Sequence, residues 1–191
     1  EPVAQLSWTG GSRLNIRNEE STRVEFDQGN LLSMSRFPRA DRRERGAMGA
    51  IGLGWSRFDP KGWDTQISMG QVFREDKDSD FSNSSGLGGL SSDFLLAGQI
   101  SSDDALVLTG RSLIDDDLTI TKAELRGEYG FQRGRVGGSY VWLEEDSFED
   151  RDSEVSELTV DGSYNINGFW TASANWRYNV ASDRAATAGL G

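Results

Sequence analysis

The sequence predicts an all-β chain: an antiparallel transmembrane β-barrel portion of about nine up-and-down strands with long extracellular loops. Three observations lead there. Apolar and polar residues alternate with period two from one end of the chain to the other, while helical spacing is nearly absent. The connections between alternating runs are short and long by turns, as in barrels with trimmed periplasmic turns and extended outer loops. Aromatic residues crowd the ends of the runs, where the lipid–water boundary of a spanning strand falls.

The first run covers residues 4–9, and the connection 10–45 follows it. "GAMGAIGLGWSRF" then puts Ala47, Gly49, Ile51, Leu53 and Trp55 on one face, opposite the small or weakly polar Met48, Ala50, Gly52, Gly54 and Ser56. "DPKG" has the proline-early, glycine-late order of a tight turn. It leads into "WDTQISMGQVF", where Trp63, Thr65, Ile67, Met69 and Phe73 oppose Asp64, Gln66, Ser68 and Gly70. After the long connection 74–93 come "FLLAGQI", a short "SSDD" turn and the weaker alternation of residues 105–114.

The clearest run is "TKAELRGEYGF": Ala123, Leu125, Gly127, Tyr129 and Phe131 alternate with Lys122, Glu124, Arg126 and Glu128. One face is apolar and the other charged. "QRG" turns into residues 135–143, the acidic connection 144–154 follows, and "ELTVDGSY" and "FWTASANWRYNV", joined by "NING", complete the nine. One edge of the sheet is therefore trimmed and the other shaggy, with "DDD" at 115–117 a short exception on the shaggy side.

Composition narrows the function classes. The 191 residues carry a formal charge of -11, the wrong field for a nucleic-acid partner. The chain has no His and no Cys, which removes disulfides, thiol chemistry, Cys/His zinc sites and imidazole-based triads. Glycine is plentiful at 23 and proline scarce at 3, a pairing that suits sheet with tight turns better than disorder. No stretch approaches the roughly 20 apolar residues of a membrane helix. The chain starts at Glu1 rather than Met and shows no signal peptide, so we expect either a mature chain or a piece cut from a longer protein, and prefer the second on the resemblance given below.

Other constellations are bland. The acids at 115–117 and 144–150 suit a hard cation in type but lack the spaced loop motif of a calcium site, and no ligand is assigned. Glycines 46, 49, 52 and 54 precede no helix and make no phosphate cradle; they are expected to let strands twist or to give room in the lumen. No carboxylate pair stands at a defined separation, so no catalytic residue, cofactor or metal is expected. A soluble β-sandwich also alternates, although its rows would be bulkier than these, which are strewn with Gly, Ala and aromatics. The residues alone leave both architectures open.

A long gapped motif adds to this reading. "NEES" at 18–21, "VEFDQGNLLSMSRF" at 24–37 and "DRRERG" at 41–46 resemble the LPS-assembly protein LptD family, whose pattern runs roughly Asn-Glu-Asp-Ser, Phe-Asp, Asn-Leu-Phe, Arg-Phe, Asp-Arg-x-Glu-x-Gly. The likeness continues through "IGLGWSRFDPKGW", "VFRE", "LSSDFLLAGQI", "DDDLTITKAELR", "GGSYVWLE" and "DGSYNINGFWTASANWRY". Glu20, Leu32 and the segment "PRA" at 38–40 depart from the usual pattern. The resemblance implies residues 1–191 as part of one outer-membrane barrel domain, with 10–45 an extracellular loop carrying the motif. It also implies a cell-outer-membrane component that inserts lipopolysaccharide into the outer leaflet, without enzymatic turnover. The implied partners are lipopolysaccharide, an LptE-like plug lipoprotein and a periplasmic LPS-bridge protein reached through an N-terminal domain. A generic outer-membrane channel or receptor barrel is the alternative.

Two groups of residues are thereby singled out. The motif loop offers Asn18, Glu19, Ser21, Phe26, Asp27, Asn30, Leu31, Arg36, Phe37, Asp41 and Arg42. We expect it to fold inward over the barrel mouth, burying Phe26, Leu31, Leu32, Met34 and Phe37 while Asp27, Arg36, Asp41 and Arg42 form hydrogen-bonded pairs. Lys122, Glu124, Arg126, Glu128, Arg135, Asp161 and Arg177 are expected to line a wet lumen, chiefly as ion pairs of the cations with Glu124, Glu128 and Asp161, with contact of Lys122, Arg126, Arg135 and Arg177 to lipid phosphates as the second use.

Overall fold

A computed structural model describes residues 1–12, 21, 23–103 and 105–191. Its strands are β1 (Pro2–Thr9), β2 (Gly46–Asp59), β3 (Trp63–Arg74), β4 (Phe94–Ser102), β5 (Leu106–Ile114), β6 (Ile120–Phe131), β7 (Gly134–Leu143), β8 (Val155–Asn165), β9 (Thr171–Asn179) and β10 (Arg184–Leu190). All ten lie in one antiparallel sheet in chain order, each paired to its sequence neighbours. The sheet is open, with β1 and β10 as its edges. β10 extends the sheet past the nine runs seen in the sequence. Its "RAATAGL" is too small-sided to show strong alternation, and its register against β9 shifts between Ala185 and Thr187.

The short connections close as their residues dictate. At "DPKG" the Gly62 amide donates to the Asp59 carbonyl, and Gly62 takes φ +85°, which costs glycine little. At "DDD" Oδ1 of Asp115 accepts from the amides of Asp117 and Thr119, so the side chain substitutes for backbone partners.

Register sorts the side chains into two faces. Leu6, Ile51, Leu53, Trp55, Leu96, Ile100, Leu108, Leu125, Tyr129, Val136, Val160 and Trp176 stand on one face and are exposed. Among the described residues no second layer covers that face. A two-sheet sandwich does not form, because the greasy rows that such a fold would seal remain bare.

The opposite face is covered near its long-loop end. The connection 10–45 supplies Val24, Phe26, Leu31 and Phe37, and the connection 75–93 supplies Phe81 and Leu87. They pack on Ala50, Val72, Leu95 and Leu113 of β2 to β5, forming the one hydrophobic cluster of the described residues. Burying each large side chain is worth roughly 1.5–3 kcal/mol, so the cluster is what folds these connections into a cap. Leu32 and Met34 do not join it, contrary to expectation: they are 40% and 58% exposed. Successive turns, Asn30 amide to Asp27 carbonyl and Ser33 amide to Asn30 carbonyl, aim Leu31 at the sheet and leave its successors outside.

Candidate functional site

The cap seats on the sheet through a socket of missing side chains. Gly52 and Gly70 are register partners on the covered face. A Cβ at Gly70 would stand 2.4 Å from Leu31 Cδ2 and 2.5 Å from the Ile51 carbonyl oxygen. Only glycine admits the leucine there.

Beside the socket lies a buried charge triad. Glu44 is 1% exposed and joins two arginines: Oε1 accepts from Nη1 of Arg36 (3.1 Å) and from its backbone amide (2.7 Å), and Oε2 accepts from Nε of Arg74 (2.6 Å). Arg36 also donates to the Leu31 carbonyl and Arg74 to the Leu87 carbonyl, so each connection's backbone is drawn into the network. Burial pulls the Arg36 guanidinium below its ordinary value, opposed by the charge of and hydrogen bond to Glu44 and reinforced by Arg74. The Arg74 guanidinium lies 5.0 Å from the Phe81 ring centroid, and Phe81 stacks on Phe37 at 4.4 Å.

A third connection clasps the second. The buried Asp146 accepts from the backbone amides of Ser84 (2.7 Å) and Phe148 (2.9 Å). Arg151 donates to Ser84 Oγ and pairs with Glu149, which accepts from Ser82. Burial pushes the Asp146 carboxyl up, but the hydrogen bonds from Ser84 and Phe148 and the nearby Arg151 outweigh it and hold the group below the usual carboxylate value. Asp93 behaves oppositely. Burial raises it, Thr121 Oγ1 donates a hydrogen bond that offsets part of the rise, and Asp115, Asp116 and Glu144 add to it.

Below the cap the covered face becomes polar. Arg111 on β5 pairs with Glu124 (2.6 Å) on β6 and approaches Glu25 (3.6 Å) and Asp27 (3.4 Å) of the cap. Lys122 pairs with Glu124 at 3.1 Å and lies 3.9 Å from Glu25. A recess of about 460 Å³ opens beneath, bounded by Gln28 of the cap and by Gln66, Gln99, Thr109, Arg111, Glu124, Arg126 and Ser139 of the wall. Farther along, Arg126 and Arg135 share Glu128 at 3.3 Å, and Arg177 lies 3.9 Å from Glu157.

The residues singled out in the sequence fall as follows. Asn18 and Glu19 lie outside the described residues. Ser21 is buried and donates to Asp41, Arg42 pairs with Asp80 at 2.8 Å, and Asn30 caps the turn at Asp27 while donating to the Glu25 carbonyl. Phe26, Leu31, Arg36 and Phe37 are buried in the cap. Lys122, Glu124, Arg126, Glu128, Arg135, Asp161 and Arg177 share the covered face by register. Arg177 takes Glu157 as its partner, whereas Asp161 stands opposite Gly137 and Asn175.

Contributors not singled out include Glu25, Glu44, Arg74 and Arg111 of the charge networks, Asp146 and Arg151 of the clasp, and the amides of the recess. Glu44 had a signal, an acid set between the arginines of "RRER". Arg111 had one too, a cation placed by period two on the same face as Leu113.

An up-and-down sheet with one bare apolar face, one polar face and long connections folded onto the polar side is the wall of a membrane-type β-barrel with an inward cap. Among curated proteins, the LPS-assembly proteins LptD of Vibrio vulnificus strains YJ016 and CMCP6 are each 24% identical over 181 residues. The match takes in 88% of this chain and 23% of each relative, so the chain spans about a quarter of their length. A family model described as "LptD: LPS transport system D" matches residues 1–185, and the chain belongs to the LptD family.

Proposed function

We propose that these residues are an interior wall of an outer-membrane barrel that inserts lipopolysaccharide into the outer leaflet. Residues 1–191 form part of one barrel domain in this reading, and 10–45 is its extracellular motif loop. The observation that carries it is the division of the sheet: a bare apolar face suited to hydrocarbon, and a charged, hydroxyl- and amide-rich face with a recess on the capped side. The glycolipid's sugars exchange hydrogen bonds with water for bonds to Gln66, Gln99, Thr109 and Ser139, and its acyl chains keep to the apolar side. Lys122, Glu124, Arg126, Glu128, Arg135, Asp161 and Arg177 line the lumen. The work in this reading is transport without bond-making. The partners in this reading are an LptE-like plug and, through an N-terminal domain, a periplasmic LPS-bridge protein.

The test is photocrosslinking in the full-length outer-membrane protein carrying these residues. A photoreactive side chain at Gln66 or Gln99 is expected to capture lipopolysaccharide in growing cells, and one at Leu108 or Leu125 to capture phospholipid. Capture of lipopolysaccharide from neither inner position would sink the reading.

A further inference from the structure

Resting on that reading, we infer that Arg111 and Lys122 form an anion subsite for phosphate groups of the glycolipid, occupied in this structure by the cap's own Glu25 and Asp27 as internal stand-ins. The distances separate two kinds of contact. Glu124, on the neighbouring strand, touches Arg111 at 2.6 Å and Lys122 at 3.1 Å, true charge-assisted hydrogen bonds. Glu25 and Asp27 stay at 3.4 to 3.9 Å, within Coulombic reach but beyond a direct bond.

Glu25 is also the most exposed member of the set, whereas Asp27 matches the wall's own Glu124 at 31%. Glu25 is 68% and Asp27 33% exposed, against 15% and 11% for Arg111 and Lys122. Asp27 does not depend on the wall, since its Oδ1 accepts from the amides of Gly29 and Asn30 in its own turn and only Oδ2 faces Arg111. Glu25 can swing out, and Asp27 can turn Oδ2 away while Oδ1 stays in its turn, with the buried Phe26 and Leu31 still seated in the cluster.

Charge matching gives the ligand class. Without the cap, two cations and one carboxylate leave the wall with a single positive charge; with it, the cluster is one negative charge in excess. A phosphate monoester carries about −1.5 to −2 at neutral pH and offers three acceptor oxygens, so it replaces both cap carboxylates in charge and adds direct bonds to the Arg111 fork. The neighbouring recess, edged by Gln28 and Gln99, takes the attached sugar.

The experiment places a photoreactive side chain at Gln99 of the full-length protein in phosphatidylcholine vesicles. Capture is compared for lipopolysaccharide, for the same material enzymatically dephosphorylated, and for lipopolysaccharide with excess inorganic phosphate. Phosphorylated material is expected to be captured about tenfold better, the size of one charge-assisted contact. Glu25→Gln with Asp27→Asn should raise its capture severalfold and leave the dephosphorylated form unchanged. Arg111→Gln with Lys122→Gln should erase the difference. Competition by inorganic phosphate identifies the phosphate group itself as the determinant, whereas its failure to compete places recognition in the lipid-bound phosphate and its sugar together. Equal capture of the two lipopolysaccharides, or no response to the double amide variant, overturns the subsite and leaves the transport reading standing. Capture of neither form removes both.

Discussion

The sheet has two unlike halves. Under the cap, β2 to β5 present Ala50, Val72, Leu95 and Leu113 on the inner face, each nearly or fully buried. At the other side, β9 and β10 are exposed over nearly their whole length, and their inner positions are Ser173, Asn175, Arg177, Thr187 and Gly189. The outward rows are apolar in both halves, bulky on β2 to β5 and richer in alanine on β9 and β10. What differs is the inward row, which is apolar and buried where a connection lands on it and mostly polar elsewhere, with the exposed Val107 an exception. A buried apolar residue on the inward row of this sheet therefore marks the footprint of a connection.

That contrast can be broken most forcefully at Glu44. Glu44→Ala leaves Arg36 and Arg74 buried and unpaired, which should cost about 3–5 kcal/mol. Rapid protease cleavage within residues 29–45 of the full-length protein in intact cells is the readout, and continued protection would refute the triad as the cap's anchor. Phe81→Ala removes the ring held between Phe37 and Arg74 and should cost a comparable 3–5 kcal/mol, read in the same assay.

Gly70→Ala is a sharper and smaller probe. It fills the Leu31 socket and should cost about 1–3 kcal/mol of cap stability. Gly98→Ala, whose new Cβ would meet nothing closer than the Gln66 carbonyl oxygen at 3.5 Å, should be nearly silent. Equal effects of the two substitutions would show that the covered and bare faces are not energetically distinct. At the trimmed end, Arg57 is 65% exposed and pairs with Asp59, so Arg57→Gln should change stability by no more than about 0.5 kcal/mol.

Acid separates two carboxylates of the loop end. Asp146 is held low, so its stabilising contribution is present above the ordinary carboxylate value and is lost as pH falls through its depressed folded value. Asp93 is held high; its protonation favours the folded state, and that benefit is lost as pH rises through its elevated value. Hydrogen exchange at the Ser84 amide should thus stay slow on mild acidification and accelerate only in strong acid. In Asp93→Asn the segment around Thr121 should lose its pH dependence.

Much of the fold was legible because period two is a local property. Ile51, Leu53, Leu125 and Tyr129 declare their face within one strand, and "DPKG" declares its turn. The cap was legible only in part. Phe26, Leu31 and Phe37 announce a need for burial, but local spacing could not separate them from Leu32 and Met34, whose exposure follows from successive turns. Partners such as Glu44 with Arg74, or Glu25 with Arg111, lie on separate elements, and a charge carries no mark of which distant opposite charge it will meet. β10 was missed for a simpler reason: alanine, glycine and threonine give alternation little contrast.

Neighbour-only strand order also sets a sequence of events. Each hairpin can close on the one before it, with small loop-closure cost, so the wall can grow from either end. The clasp cannot, because Ser84 waits for Asp146 and Arg151, which come more than sixty positions later. The second connection is therefore fastened to the third only after β7 is laid down and the next connection emerges, whereas the cap's own cluster and triad need nothing beyond β5.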